Sequence, residues 1–361
     1  MTSRTRSVAF YLPQFHPIPE NDRWWGAGFT EWHNTAKAQP LFAGHQQPHV
    51  PAELGYYDLR SAETREAQAE LAHTHGIDAF CYYHYWFGGR RLLERPFDEV
   101  LRSGTPTLPF CLCWANESWT RAWDGSNRSV LMEQRHSPAD DLAHIRHLAP
   151  ALADARYLRI GGRPLLLVYR ASELPDPRRT TDVWRDEAQR LGIGDLHLAR
   201  VESLSNERGD PVELGFDSAV EFQPDWRRLR ASRTQRAIRR FARALGTTHF
   251  DAPYTTLDYA KLVDAASSAP PPEYARFPCV TPGFDNTPRR ARGAVVLTNS
   301  SPQRYGDWVA RTLRTREPEL LFVNAWNEWG EGAHLEPCER WGRAYLEAHR
   351  DAVARASLTP S

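Results

Sequence analysis

The chain of 361 residues has little cysteine, no excess of charge of either sign and no long apolar run. Its 45 basic side chains balance 45 acidic ones, which excludes proteins that bind nucleic acids or membranes through a large positive charge. The sequence contains no run of about 18 apolar residues, the minimum for a membrane-spanning helix. Its hydrophobic share of 41% is nevertheless that of a globular protein.

The five cysteines are odd in number, scattered and mostly inside apolar segments. This pattern predicts buried free thiols in a reducing cytoplasm rather than a disulfide framework. The apolar stretch near the N-terminus stops at Pro13 and is shorter than the core of a signal peptide, so a cytoplasmic protein is expected. Cys111 and Cys113 do not have zinc-motif spacing and have no second Cys or His pair nearby. The sequence predicts neither a metal nor a cofactor.

Eight short apolar segments alternate with helix-like segments along the chain. They comprise residues 8–11, 79–83, 109–114, 164–169, 196–201, 218–222, 277–281 and 320–325. Their nearly continuous apolar character is typical of parallel strands that are covered on both faces. Eight strands that alternate with helices predict an α/β fold, a (β/α)8 barrel that forms a single catalytic domain over residues 1–361.

An open, doubly wound sheet is the alternative fold. It would place a glycine-rich phosphate loop after the first strand, but the sequence there is LPQFHP. A barrel needs about 250 residues, and the surplus falls after predicted strands one, three and six, at 12–60, 115–137 and 223–275. Segments that follow the strands lie at the C-terminal end of a barrel, where such folds carry their sites.

Tryptophan is the residue in clear excess, since its 13 copies equal those of tyrosine. For Trp184, Trp308 and Trp341, which lie on predicted helices, we expect packing in the core. The tryptophans at strand ends instead stand among Asn, Asp, Glu, Tyr and His. Such a mixture suits a sugar, which stacks its apolar face on an aromatic ring and offers hydroxyls for hydrogen bonds.

The residues at the strand ends are therefore predicted to bind a glycan. The predicted substrate-binding residues are Tyr11, Gln14, His16, Trp32, Tyr83, His84, Trp86, Trp114, Asn116, Glu117, Trp119, Glu221, Asp285, Asn286, Trp326 and Asn327. For His16 and His84 an equally good explanation is a satisfied buried histidine. For Glu117, an acid/base role competes with an ion pair to Arg121.

Glu328 and Glu331 follow the eighth predicted strand and are the strongest catalytic candidates. Their spacing would point them to opposite faces of a continuing strand, so they converge only if the chain turns, which Gly330 and Gly332 permit. Two converging carboxylates in an aromatic cleft can cleave a glycosidic bond, one by protonating the leaving oxygen and the other by assisting the attack. A pair of solvent-facing or salt-bridged glutamates is the alternative, and the position after strand eight favours catalysis.

Several longer motifs are similar to those of one known family. They lie at residues 11–17, 25–32, 82–87, 113–117, 283–290 and 327–332 and read YLPQFHP, WGAGFTEW, YYHYWF, CWANE, GFDNTPRR and NEWGEG. On these motifs the chain resembles the WbsX-type family, which is described as lipopolysaccharide-biosynthesis glycosyltransferases and is related to glycoside hydrolase family 99. The resemblance covers residues 8 to 345 and implies a (β/α)8 barrel.

The resemblance also implies a mechanism, because the hydrolase family cleaves α-mannosidic bonds inside glycans. Glu328 would remove the proton of the sugar 2-hydroxyl, whose oxygen then attacks the anomeric carbon to give a 1,2-anhydro sugar. Glu331 would be the general acid and then the base that activates water. This route retains configuration without a carboxylate nucleophile, unlike the usual retaining pair. It requires a 2-hydroxyl trans to the leaving group, as in α-mannose.

Three functions are consistent with the sequence. The first is a retaining glycoside hydrolase-like enzyme acting on an α-linked, mannose-configured or related bacterial polysaccharide. The second is a glycosyltransferase of lipopolysaccharide or other surface polysaccharide assembly, which a cytoplasmic location favours because nucleotide sugars are made there. The absence of an Asp-x-Asp motif and of a glycine-rich phosphate loop argues against it. The third is a non-catalytic glycan-binding barrel, which the retention of both Glu328 and Glu331 disfavours.

Overall fold

The structure is a computed structural model that describes residues 4–121, 126–225, 254–290 and 292–358. Nine strands within these residues form a parallel sheet that closes almost completely into a barrel. They are β1 (Arg6–Tyr11), β2 (Ala79–Phe87), β3 (Phe110–Trp114), β4 (Arg163–Val168), β5 (His197–Glu202), β6 (Ser218–Glu221), β7 (Arg276–Phe277), β8 (Cys279–Val280) and β9 (Leu320–Val323). Along the sheet their order is β7-β6-β5-β4-β3-β2-β1-β9-β8.

The two ends of this sheet, β7 and β8, are separated in sequence by Pro278 alone. Proline has no amide hydrogen, so it interrupts the hydrogen-bond ladder at this point. β7 pairs with β6, whereas β8 pairs with β9, and the Pro278 carbonyl accepts a hydrogen bond from the Phe322 amide at 2.9 Å. The two ends of the sheet are thus joined through the backbone of Pro278. The seventh predicted strand consists of two short pieces, β7 and β8.

The predicted (β/α)8 barrel is confirmed. Each of the eight predicted apolar segments supplies a strand of the barrel, and the seventh supplies both β7 and β8. The four residues Leu165–Val168 have no exposed surface, which is what a parallel strand with both faces covered requires. Outside the barrel, Arg90–Leu92 pairs antiparallel with β2 and Arg159–Ile160 pairs antiparallel with β4.

Nine α-helices lie within the described residues. They are α1 (Pro19–Trp25), α2 (Trp32–Lys37), α3 (Ala62–Thr74), α4 (Arg95–Ser103), α5 (Pro138–Ala153), α6 (Pro177–Arg190), α7 (Tyr259–Ser267), α8 (Pro302–Arg316) and α9 (Ala344–Leu358). Local sequence fixes where several of them begin: Ser137, Asp176 and Ser301 each accept a hydrogen bond from the first turn of the following helix. A proline occupies the first helical turn in each of these three cases.

All three tryptophans predicted to pack in the core contact it, and two of them are fully enclosed. Trp184 on α6 and Trp308 on α8 are 0% and 2% exposed. Trp341 is only half-buried and packs against the core from its edge. The reason is that α9 begins at Ala344, so Trp341 lies in the turn before the helix.

The long connections follow β1, β3 and β6, as predicted, and all three leave the same end of the barrel because its strands are parallel. The first carries α1 and α2, and the second carries a hairpin of Trp119–Arg121 and Ser126–Met132. Residues 226–253 of the third connection lie outside the part of the chain that the structure describes. After that gap, Tyr254–Asp258 pairs in parallel with Ala294–Thr298.

The cysteines and the helices match two further predictions from composition. All five cysteines are buried and free. Among the described helices, none combines the length and the apolar character needed to cross a bilayer.

Candidate active site

Glu328 and Glu331 converge on a single guanidinium group. Nη2 of Arg289 lies 2.7 Å from a carboxylate oxygen of Glu328, and Nη1 lies 2.9 Å from one of Glu331. Arg289 follows β8, whereas both glutamates follow β9, so two neighbouring strand ends supply the group. The structure therefore holds the two predicted catalytic carboxylates on adjacent nitrogens of one side chain.

The chain turns between these glutamates, as their spacing requires. Asn327–Glu328 and Ala333–His334 pair as two short antiparallel strands, and Trp329–Glu331 forms a 3-10 turn between them. Gly332 ends the turn with φ +58°, a left-handed conformation that glycine adopts without strain. The backbone amide of Asp285 donates to the carbonyl of Glu331 and ties the turn to the segment after β8.

Gly330 has a different role from the one its sequence position indicated. Its φ is not positive, and a Cβ at this position would lie 1.9 Å from Oε1 of Glu31 and 2.8 Å from Nε of Arg289. Glycine is therefore needed for space, because the side chain of Glu31 passes directly over the turn.

Glu31 is a third carboxylate on the same guanidinium, and the sequence predictions did not include it. Its Oε1 lies 2.6 Å from Nε of Arg289, its side chain is fully buried, and its Oε2 has no hydrogen-bond partner within the described residues. Burial raises the pKa of Glu31, and Arg289 opposes this shift. One guanidinium thus faces three glutamates, an arrangement that disfavours full ionisation of all three.

The environment of Glu328 favours the protonated form of its carboxyl group. Burial, opposed by Arg289 and assisted by the charges of Glu331 and Glu31, raises the pKa of Glu328 to about 8. The Glu328 side chain is 8% exposed, whereas that of Glu331 is 28% exposed. The first carboxyl is therefore enclosed, and the second is open to solvent.

Both glutamates line a cavity of about 310 Å³ at the C-terminal end of the barrel. Other predicted residues in its wall are Gln14, Tyr83, Glu117 and Trp119. Tyr85, Tyr169, Trp25 and Phe222 add aromatic surface that the predictions did not name. The cavity thus has the mixture of aromatic walls and hydrogen-bonding groups expected of a sugar site.

Glu117 lines the cavity and pairs with a residue other than the one considered from sequence. Its carboxylate lies 2.6 Å from Nη1 of Arg170, the second residue after β4, whereas the side chain of Arg121 lies outside the described part of the structure. Burial raises the pKa of Glu117, and Arg170 opposes this. Arg170 also contacts Glu173 and Glu207, so it too is outnumbered by carboxylates.

Two asparagines in the cavity wall have unpaired amide atoms, and no sequence pattern indicated either residue. Asn21 on α1 is 1% exposed, and neither polar atom of its amide has a partner within the described residues. Oδ1 of Asn324, which follows β9, is likewise buried without a partner there. An unsatisfied buried polar group costs about 1–3 kcal/mol, so both amides would gain from bonding to hydroxyls of a ligand.

Asn116 and Asn327, for which substrate binding stays a prediction, hold the barrel ends together. The amide of Asn327 bonds to both backbone groups of Leu12, at 2.7 and 3.0 Å. The amide of Asn116 does the same to Arg170, at 2.8 Å for both bonds. Each asparagine precedes a cavity glutamate and therefore fixes its position by tying one strand end to the next.

Five further aromatic candidates lie outside the cavity, and four of them donate hydrogen bonds within the protein. Tyr11 donates to Gln68, Trp32 to the carbonyl of Tyr57, Trp86 to Asp140 and Trp114 to the carbonyl of Trp86, and Trp326 is fully buried against Phe80. Their position at strand ends was predicted correctly, but their rings face the core beneath the loops. Ligand binding by these five residues stays a prediction, and in the structure the tryptophans among them are buried in the floor under the site.

The remaining polar candidates also form hydrogen bonds with other residues of the protein. His16 bonds to the carbonyl of Pro13, His84 to His144, Glu221 to Arg316 on α8, and Asn286 to the amide of Val295. Burial lowers the pKa of His16 to about 4 and that of His84 to about 3, which fits the alternative of buried neutral histidines. Asp285 bonds to His45 and Gln47 and lines a second cavity.

A family model described as Glycosyltransferase WbsX matches residues 7–349. The chain belongs to the WbsX family. Two curated relatives from strains of Xanthomonas campestris pv. campestris, both called uncharacterized protein WxcX, are 48% identical over 355 residues. These matches cover 97% of this WbsX chain but only 50% of each relative, so the chain spans about half the length of the curated relatives it matches.

Solved structures share the barrel of the WbsX chain. A GH99 endo-alpha-mannosidase from Bacteroides thetaiotaomicron superposes with a TM-score of 0.59 at 14% identity, covering 98% of this chain and 97% of that one. A glycoside hydrolase-like protein superposes with a TM-score of 0.58 at 13% identity, covering 98% and 95%. At such identities the likeness establishes the fold.

Proposed function

We propose that the protein is a retaining glycoside hydrolase-like enzyme that acts on an α-linked, neutral glycan of mannose or related configuration. The observation that carries this proposal is the joint attachment of Glu328 and Glu331 to Arg289 in the wall of an aromatic cavity. Two carboxylates held in this way can divide the proton transfers of glycoside cleavage between them.

The two roles proposed are those that the family resemblance implies, and the surroundings of each carboxylate are compatible with them. Glu328 is enclosed and has a raised pKa, so it is suited to take the proton of the sugar 2-hydroxyl, whose oxygen attacks the anomeric carbon. Glu331 reaches solvent and donates its proton to the leaving oxygen as the glycosidic bond breaks. In the second step Glu331 removes a proton from the water that attacks the 1,2-anhydro sugar, and Glu328 returns its proton to the 2-oxygen.

A glycosyltransferase is the second candidate, and the description of the family favours it. The charge of the cavity wall argues against a nucleoside diphosphate donor in this cavity. Among its lining residues, Glu117, Glu328 and Glu331 supply three carboxylates, and Arg289 supplies one guanidinium that is already shared with Glu31. A diphosphate would meet repulsion there, whereas a neutral glycan would not.

The test is to supply α-linked mannose oligosaccharides with and without nucleotide sugars and to quantify released and extended products. We expect release without a nucleotide sugar, and a loss of about 10²–10⁴-fold in rate for Glu328→Gln and for Glu331→Gln on natural linkages. An aryl α-mannoside separates the roles, because its leaving group needs no protonation. Glu331→Gln should lose less bond-cleavage rate on this substrate than on natural linkages, and Glu328→Gln should lose as much on both.

Glu53→Gln is the matched control, because Glu53 pairs with Arg343 at the surface away from the cavity. Its rates should equal those of the wild type. Wild-type rates in Glu331→Gln on natural linkages would show that the acid is assigned wrongly, and product formation only with a nucleotide sugar would establish the transferase instead.

A further inference from the structure

A second and larger cavity lies beside the candidate active site. Its volume is about 770 Å³, and it is enclosed by the connections after β1, β8 and β9. The two cavities have no lining residue in common. They are separated by the wall in which the amide of Asp285 bonds to the carbonyl of Glu331, and Gly332 faces the second cavity. Both therefore open at the same end of the barrel, on opposite sides of the turn that carries the catalytic candidates.

The floor of this second cavity is polar and preorganised. Oδ2 of Asp285 accepts hydrogen bonds from Nε2 of Gln47 and from His45, both at 2.7 Å. This fixes the amide of Gln47, whose Oε1 is buried and has no partner within the described residues. Beside it, His49 and His334 share a hydrogen bond of 2.9 Å, and burial lowers the pKa of both, so they are neutral. The floor thus offers neutral amide and imidazole groups beside the Asp285 carboxylate, which already accepts hydrogen bonds from His45 and Gln47.

The rim adds an aromatic face. Trp341 is half-buried and stands edge-on to Tyr345, and the guanidinium of Arg340 lies over its ring at 5.0 Å from the centroid. Apart from histidines, the acidic and basic side chains in the described lining are Asp285, Glu339 and Arg340, so the cavity has no excess of basic groups to hold a polyanion. A tryptophan ring that lines the same cavity as neutral amide and imidazole groups is the chemistry that recognises an uncharged, hydroxyl-rich ligand.

We propose that this cavity is an accessory binding site for a distal segment of the same neutral polysaccharide whose linkage is cleaved beside Glu328 and Glu331. The inference rests on the proposed function and extends it: the enzyme acts on chains long enough to occupy both cavities. A cavity of this volume is in the range that holds a ligand of several rings. Occupation of the second cavity raises the affinity for long chains without taking part in bond cleavage.

The experiment compares a neutral α-mannan with a short α-mannotetraose as substrates of Trp341→Ala and Gln47→Ala. We expect the KM for the mannan to rise about tenfold with kcat unchanged, and the kinetics on the tetraose to remain those of the wild type. Tyr56→Ala is the matched control, because Tyr56 is an aromatic residue, 50% exposed, outside both cavities. Equal losses on both substrates, or no change on the mannan, would overturn the accessory site.

Direct binding separates failure of this inference from failure of the proposed function. Calorimetric titration of Glu331→Gln with mannan-derived oligosaccharides should show two binding events, and Glu331→Gln combined with Trp341→Ala should show one. If the wild type cleaves no α-mannoside, the proposed function fails, but a binding event that disappears with Trp341→Ala still establishes the site. Identical titrations of the two variants would refute the site even in an active enzyme.

Discussion

Arg289 joins three glutamates that come from distant parts of the sequence. Glu31 lies in the connection after β1, and Glu328 and Glu331 lie in the turn after β9. Because one positive charge is shared among three carboxylates, each carboxylate is less stabilised than it would be alone. The protonation of Glu328 is therefore set by Glu31 as well as by its own surroundings.

We predict that Glu31→Gln shifts the pH dependence of kcat/KM. Glu328 must be ionised to act as a base, so the rate should rise with pH through its pKa, which the protein raises to about 8. The substituted amide would keep a hydrogen-bond acceptor for Arg289 but remove a negative charge. Repulsion at Glu328 then falls, its pKa decreases, and the ascending limb should move to lower pH by about one unit. The measurement is kcat/KM on an aryl α-mannoside across the acidic to mildly alkaline range.

The titratable groups that interact with Glu328 are Arg289, Glu331, Glu31, Tyr83, Tyr85 and Tyr169. Only the charge of Glu31 changes in this variant. Glu53→Gln serves again as the control and should keep the wild-type profile. An unchanged limb in Glu31→Gln, or a limb moved to higher pH, would contradict the role given to Glu31.

At the scale of an element, the turn Trp329–Glu331 was predicted from its motif, but the role of one of its glycines was not. The two glycines indicated that the chain turns here, and it does. Gly332 has the expected positive φ, but Gly330 is required because Glu31 packs against it from another segment. The sequence pattern predicted the turn. Gly330 is required by its contact with Glu31, which lies about 300 positions away in the sequence.

We predict that Gly330→Ala abolishes activity while the chain still folds. The added Cβ would overlap Oε1 of Glu31 and approach Arg289, so the carboxylate cluster must move. Overpacking of this kind costs about 1–3 kcal/mol in the free energy of unfolding. Urea unfolding and kcat/KM are the measurements.

Gly161→Ala is the comparison for this prediction. Gly161 has φ +54° and no atom within 4 Å of an added Cβ, so alanine there adds only the left-handed strain of about 1–2 kcal/mol. Its stability loss should be similar, and its activity should be that of the wild type. Wild-type activity in Gly330→Ala would show that the cluster does not depend on this close approach.

At the scale of the whole molecule, the barrel places its scarce cysteines out of reach of solvent. Cys81, Cys111, Cys113 and Cys279 lie in the barrel strands, and Cys338 lies in the connection after β9. Burial raises the pKa of Cys81, Cys279 and Cys338, which lowers the fraction of reactive thiolate.

We therefore predict that the native protein reacts far more slowly with a thiol reagent than the unfolded chain, which should expose all five thiols. Titration with Ellman's reagent in buffer and in guanidinium chloride measures the rate of reaction and the number of reactive thiols in each state. The melting temperature should not change with added reductant, because no disulfide stabilises the fold. A thiol that reacts rapidly in buffer, or a melting temperature that falls with reductant, would contradict this prediction.

The sequence by itself determined the architecture and the catalytic pair proposed for it. Strand prediction depends on local apolar character, and Glu328, Glu331 and the turn between them lie within a few residues, so local pattern was enough. The sequence also predicted that Gln14, Tyr83, Glu117 and Trp119 lie together at the C-terminal end of the barrel. Such predictions succeed because the C-terminal ends of parallel strands always meet at one face.

Only the tertiary structure decided which side chains at that face point into the cavity. Trp114 and Trp326 occur in the same kind of segment as Trp119, yet both are buried, Trp114 against Trp184 on α6 and Trp326 against Phe80 on β2. Glu31 and Arg289 produced no separate signal, since their roles arise from an ion-pair group assembled from three connections. Charge sharing and packing depend on distances in space, which residue spacing along the chain does not encode.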